Sequence, residues 1–325
     1  MSKSALRVTL GLILVAVVFA SAPAWAGRAD LRLYGEFMSY LALAVLWNLL
    51  AGYAGLMSVG QQAFVGLGAY VLFIGVVTLG MSPLLTLPVA FVVTGIAAAF
   101  FALLLFRLEG AYFAIGTWVA AESVALVFAG IPSLGGGAGM SLPAAAVRGI
   151  ADSREMREFV IYWLLCGLGI GTLAAAYALI RSKPGLALMA LRDNPMAAMS
   201  VGVDIKRIRF WTYVLVAALT GVIGAVIFLQ KLRVSPQAAF SLPDWTVAVI
   251  FIVVIGGIGR LEGAVVGTVV YFVLRELLKD YGVAYLIVLG IVAILVVTFS
   301  GGGLWGLVEK HLRWSLMPTH RKRDG

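Results

Sequence analysis

The sequence predicts an all-α, polytopic integral membrane helix bundle of about ten transmembrane helices, with broken or re-entrant elements at Gly-rich turns. Two observations predict it. Of the 325 residues, 62% are hydrophobic and only 12% are charged, about half the charged share of a water-soluble domain. The apolar residues also gather in stretches that approach the ~20 residues a helix needs to cross the hydrocarbon core. Charged residues fall in the short segments between them, and the whole chain, 1–325, reads as one membrane domain.

The first apolar stretch, Leu6 to Ala26, follows Lys3 and Arg7 and ends in Ala22-Pro-Ala-Trp-Ala26, small residues of the kind found at a cleavage site. We read it as an uncleaved first span; the alternative is a removed signal segment over 1–26, which leaves nine spans. The next spans are expected at Leu33 to Leu50, Gln62 to Leu79, Leu84 to Phe106 and Ala111 to Gly130. A Gly-rich, charged segment, Ile131 to Glu158, separates these from Phe159 to Ile180. A second polar segment, Arg181 to Arg207, precedes Ile208 to Leu229, Leu242 to Ile258, Glu262 to Leu278 and Val283 to Ser300. A basic tail, 301–325, closes the chain.

Ten spans place both termini on one side, and the charges say which. With the termini inside, the inner segments hold 15 of the 24 basic residues and six acids, whereas the outer segments hold nine basic residues and eight acids. Inner loops of membrane proteins are the ones enriched in Lys and Arg. Segment 131–158 is therefore expected outside, and 181–207 and the tail in the cytoplasm. The formal charge of +9 forms no continuous basic face, so nucleic acid is not an expected partner. Cys166 is the only cysteine, and His311 and His320 both lie in the tail. A disulfide within the chain and a histidine metal site within the bundle are thereby excluded.

Several residues in this framework carry chemistry. In the inner segment, Arg192-Asp193-Asn194-Pro195 starts a helix: Asn194 can cap the exposed amides, and Pro195 suits the first helical position. Ala197 and Ala198 continue it and Gly202 can end it. A short helix of this kind either docks in a groove of a cytoplasmic partner or is an amphipathic linker. Gly52, Gly55 and Gly60 sit between two apolar runs, where the chain has to break helix against protein or water. Asn48, Ser58, Gln61 and Gln62 flank the break and either line a solute path or satisfy freed backbone groups. A second Gly-rich turn, with Gly256, Gly257 and Gly259 followed by the charges Arg260 and Glu262, echoes the first; either it marks an internal duplication or such turns recur wherever membrane helices need breaks or close approach. Glu122 lies mid-span, where a carboxyl on the lipid face costs about 2.5–3.5 kcal/mol; it either lines the path or clamps helices.

The run Ala190-Leu-Arg-Asp-Asn-Pro-Met-Ala-Ala-Met-Ser-Val-Gly202 resembles the coupling loop of permease subunits of branched-chain amino acid ABC importers. Three more stretches agree, in the family's order: Leu46 to Tyr70, Glu109 to Trp118 with Gly135 to Met140, and Val254 to Gly267. Pro195 stands where an acidic residue is common, Leu56 where glutamine is usual, and Gln61 where histidine is frequent. The resemblance implies that Leu191, Arg192, Asp193, Asn194, Pro195, Ala197, Ala198 and Gly202 contact an ATPase. It implies two cytoplasmic ATP-binding subunits, which use ATP and Mg, a second homologous permease as heterodimer partner, and a periplasmic substrate-binding protein. The expected location is a bacterial inner membrane.

The residues limit the alternatives. No Gly-x-x-x-x-Gly-Lys-Ser/Thr loop occurs, so the chain binds no nucleotide in that way and no cofactor of its own is expected. An ion-coupled secondary transporter of a small polar solute needs several intramembrane ionisable groups, and only Glu122 qualifies. An intramembrane enzyme needs a nucleophile with a base, or metal ligands, within the spans. The substrate implied by the resemblance is a branched-chain or related hydrophobic amino acid; related permeases take urea, amides or aromatic acids.

Overall fold

Runs of apolar residues with no strong polar face make helices that bury several sides or rest against lipid. The computed structural model, which describes residues 17, 19, 21–151, 153–282 and 284–312, is a bundle of such helices. Helix α1 (Arg28–Asn48) runs on into one π-helical turn, Leu49–Tyr53, and the chain is then non-helical until α2 (Gln61–Val77). Helices α3 (Thr86–Leu105) and α4 (Gly110–Ala129) follow, then short turns, then the long α5 (Arg154–Arg181). Two further helices, α6 (Lys183–Asp193) and α7 (Pro195–Ser200), lead into α8 (Ile205–Lys231). A second π-helical turn, Pro243–Val247, opens α9 (Ala248–Gly256), and α10 (Leu261–Leu278), α11 (Ala284–Phe299) and α12 (Gly303–Leu312) complete the order.

Among the described residues, six helical stretches are long and apolar enough to cross a bilayer, or seven if the bent pair Ile287–Phe299 and Gly303–His311 is one span. The sequence suggested about ten. The difference has local causes. Helix α2 has 17 residues, about 26 Å at 1.5 Å per residue, short of a ~30 Å core. Helix α10 carries Glu262, Arg275 and Glu276. The expected first span lies mostly outside the described residues, which include its helical end at Ser21–Trp25; residues 313–325 of the basic tail are also outside them.

Helix α8 is the central element. Its Gly221 and Gly224 meet Gly68 and Val65 of α2 so closely that no Cβ fits between the two backbones, the contact small residues allow where lipid supplies no hydrophobic drive. Large side chains fill the rest: Tyr213 of α8 packs edge-on against Phe64 and Phe106, with centroids 5.7 and 5.4 Å away. One detail departs from an all-helical fold. Met140–Ser141 (β1) pairs antiparallel with Arg233–Val234 (β2), too short for any alternation to show in the sequence. It stitches the Gly-rich segment to the end of α8.

The polar contacts sort into two ends of the bundle. At one end, Arg209 donates to the Ala54 carbonyl at 3.0 Å, and Arg260 donates to the Gly302 carbonyl at 2.6 Å and pairs with Glu309 at 3.1 Å. At the other, Arg32 pairs with Glu158, Arg28 with Glu155, and Arg275 grips both oxygens of Glu36 at 2.8 Å. By the expected topology the first set lies at the inner ends of the spans and the second at their outer ends.

Candidate functional site

The site begins with local helix chemistry in the connection between α5 and α8. Ser182 accepts from the Gly185 amide at 3.4 Å and starts α6, which the sequence reading left unrecognised beneath its mixed polarity. Asn194 accepts from the Ala197 amide at 3.1 Å with Pro195 at the first position of α7, as the helix-start pattern predicts. Gly202 ends the turn with φ +86°, a conformation glycine adopts without steric cost. Leu191 and Ala198 are buried and hold the pair of helices to the bundle. Met196, Met199 and Val201 point outward, 73%, 48% and 77% exposed, and Asp193 accepts from Arg192 at 3.0 Å on the same surface.

Arg192 links this surface to the bundle. Its guanidinium carbon lies 5.5 Å from the centre of the Tyr53 ring, within reach of a cation–π attraction. A Cβ placed on Gly259 would stand 3.6 Å from Arg192 Nη1. Tyr53 stands at the start of the first Gly-rich break and Gly259 sits in the second, so the two breaks meet beside one arginine.

They also meet each other directly. Asn48 donates to the Arg260 carbonyl at 2.8 Å and accepts from the Gly259 amide at 2.7 Å. Gly52 allows the approach: a Cβ there would lie 2.5 Å from both Asn48 Oδ1 and the Gly259 amide nitrogen. Gly257 and Gly259 have φ +124° and +77°, so the second turn also needs residues free of a Cβ. Gly256 is pressed against the Gly263 backbone, and Gly60 against the Thr117 backbone of α4. Gly55, at φ +67°, lies beside Arg209. The similarity between the two turns, noted in the sequence, thus accompanies physical contact between them.

The polar residues flanking the first break divide into two groups. Asn48 is fully used, and Ser58 accepts from the Gly60 amide at 3.3 Å while its carbonyl accepts from Trp47 at 2.8 Å. Gln61 and Gln62, at the start of α2, are buried but incompletely paired. Thr246 bonds the Gln62 side-chain oxygen and accepts from the Gln62 amide at 3.1 Å. Gln62 Nε2, both polar atoms of Gln61 and the Tyr53 hydroxyl find no protein partner, uncommon for buried groups. Glu122 stands apart from this cluster. It is half-buried on α4, in line with the exposed Ile115, Val119 and Leu126, and among the described residues it has no ion-pair or hydrogen-bond partner. No group of His, Cys, Asp or Glu that could hold a metal ion occurs among the described residues.

Comparison with known proteins agrees with this architecture. Residues 31–298 match the family described as "Branched-chain amino acid transport system / permease component". The high-affinity branched-chain amino acid transport system permease protein LivM of Salmonella typhimurium is 26% identical over 332 residues, covering 95% of this chain and 78% of that protein. LivM of Escherichia coli K12 is 25% identical with the same coverage. The probable branched-chain amino acid transport permease protein LivH of Methanocaldococcus jannaschii is 27% identical over 124 residues, 38% of this chain and 36% of that protein. No solved structure gives a match of comparable strength. With the matched region spanning nearly all of the bundle, the chain belongs to the family of branched-chain amino acid transport permease components.

Proposed function

We propose that this permease is the membrane-embedded subunit of an ABC importer that moves branched-chain or related hydrophobic amino acids across a bacterial inner membrane. Two cytoplasmic ATPases hydrolyse Mg-bound ATP and drive it, and a periplasmic binding protein delivers the substrate. The observation that carries this reading is the position of Arg192, between the exposed apolar surface of α7 and the paired Gly-rich breaks. A partner that moves α7 also moves Arg192, and with it the contacts that Arg192 makes with Tyr53 and Gly259.

The remaining parts of the proposal follow from the same bundle. The α6–α7 face and both termini are assigned to the cytoplasm in this reading, which the excess of Lys and Arg in those segments supports. About ten spans result if α2, α10 and the N-terminal stretch cross or re-enter the bilayer. The incompletely paired Gln61, Gln62 and Tyr53 line the route beside the break, where a passing solute or water can satisfy them. Glu122, on the apolar stripe of α4, is too costly to leave against lipid; a second homologous permease covering α4 removes it from the hydrocarbon.

Uptake of labelled leucine into vesicles that hold the chain with its partner subunits tests the reading. Import that stops with vanadate and survives a protonophore supports it. Import by the chain without ATPases, abolished by the protonophore, replaces it with an ion-coupled transporter.

A further inference from the structure

At the end of the bundle opposite α7 is a cavity of about 200 Å³. Helices α5 and α8 both connect the α6–α7 segment to this end: α5 runs 28 residues and α8 27, about 40 Å each. The cavity therefore lies on the far side of the membrane from the proposed ATPase contact. It is larger than the ~150 Å³ cavity that accommodates benzene, enough for a small metabolite and too little for a protein segment.

Its lining presents three separate chemistries. Glu158 offers a carboxylate whose Oε1 is held by Arg32 at 2.5 Å and Arg154 at 3.4 Å, while its Oε2 is buried and has no hydrogen-bond partner. Arg157 lines the same cavity and, among the described residues, has no ion-pair or hydrogen-bond partner. Neighbours on a helix do not face one another, so Arg157 and Glu158 cannot neutralise each other directly. Leu31, Ile161 and Leu232 supply an apolar wall. Leu232 is the one non-glycine residue among those described with positive φ, +59°, a conformation that strains a residue with a Cβ. It is held there by the β1–β2 corner, where its carbonyl accepts from the Leu142 amide at 3.1 Å.

We propose that this cavity binds a zwitterion with a primary ammonium, one anionic group and an aliphatic body. The ammonium meets Glu158 Oε2, the anion meets Arg157, and the aliphatic part rests on Leu31, Ile161 and Leu232. Two sources carry that chemistry, a free aliphatic α-amino acid and an ethanolamine phospholipid of the outer leaflet. For the amino acid, the cavity is an outer-face waiting site for the proposed substrate; this part rests on the importer reading and its sidedness.

The test uses the permease with its membrane and ATPase partner subunits, and without the binding protein, in nanodiscs made only of phosphatidylcholine, with tritiated leucine as probe in a scintillation proximity assay. Saturable binding that weakens at least tenfold in Arg157→Gln, as expected for a lost charge-assisted contact of about 1.5–3 kcal/mol, assigns the site to the amino acid. Arg157 has no partner to lose, so this variant keeps the fold; Glu158→Gln, which frees Arg32 and Arg154, is the second variant. Leucine silence, with phosphatidylethanolamine retained by the purified wild type and lost from Arg157→Gln in native mass spectrometry, assigns the site to the lipid. Equal leucine binding in wild type and Arg157→Gln, or neither ligand held, overturns the proposal. ATP hydrolysis measured in the same particles reports separately on the importer reading.

Discussion

Asn48 and Gly259, 211 positions apart in the chain, are joined by a 2.7 Å hydrogen bond from the glycine amide to the asparagine Oδ1. The same side chain holds the Arg260 carbonyl through its Nδ2, so one buried residue fixes the two Gly-rich breaks against each other. Asn48→Ala leaves a buried amide and a buried carbonyl without partners, and each such orphan costs about 1–3 kcal/mol. Thermal unfolding of the purified permease should show a loss of about 2–6 kcal/mol, with Asn48→Asp intermediate because it keeps only the acceptor.

Gly52→Ala tests the close approach rather than the hydrogen bonds. Its new methyl would meet Gly259 backbone, which cannot rotate away as a side chain does, and overpacking of this kind costs about 1–3 kcal/mol. Gly259→Ala adds the strain of its +77° φ and should destabilise at least as much. Stability equal to wild type in both variants would show that the breaks are not in contact.

Asn194→Ala removes the cap of α7 and should cost about 1 kcal/mol of local helix stability, whereas Asn194→Asp retains it. The global unfolding temperature is expected to change little, because α7 is short and peripheral. Hydrogen exchange at the amides of Ala197 and Ala198 should quicken about fivefold in the alanine variant.

Met196→Glu places a carboxylate on the outward surface of α7, where Met196 is 73% exposed. Inserted into membranes at normal level, the variant should lose co-purifying ATPase subunits, since a desolvated, unpaired charge in an interface costs several kcal/mol. Unchanged recovery of the ATPases would remove α7 from that interface.

What the sequence disclosed was local. Asn194, Pro195 and Gly202 act through neighbouring amides and backbone angles, so their roles were legible from spacing alone, as was the break that starts near Gly52. The contact of Gly52 with Gly259, and of Arg192 with Tyr53, depends on how distant segments pack, and no local pattern encodes it. The similarity of the two glycine turns was the one available sign. The cavity beside Glu158 escaped notice for the same reason: Leu31, Arg157 and Leu232 come from three separate segments, and Arg157 reads in the sequence as one more outer charge. Span counting and helix length part company at α2, whose apolar run follows Gln61 and Gln62 and begins only after the break.

In the proposed importer the Arg192–Tyr53 contact is the joint through which α7 reaches the breaks, and leucine imported per ATP hydrolysed measures that joint most directly. A cation–π contact made by an exposed arginine such as Arg192 is worth about 0.5–1 kcal/mol, roughly a two- to fivefold change in coupling. In proteoliposomes with all partner subunits, Arg192→Ala is predicted to hydrolyse ATP at near the wild-type rate while leucine import falls about two- to fivefold. Import and hydrolysis that keep the wild-type ratio in that variant contradict a drive passed through Arg192.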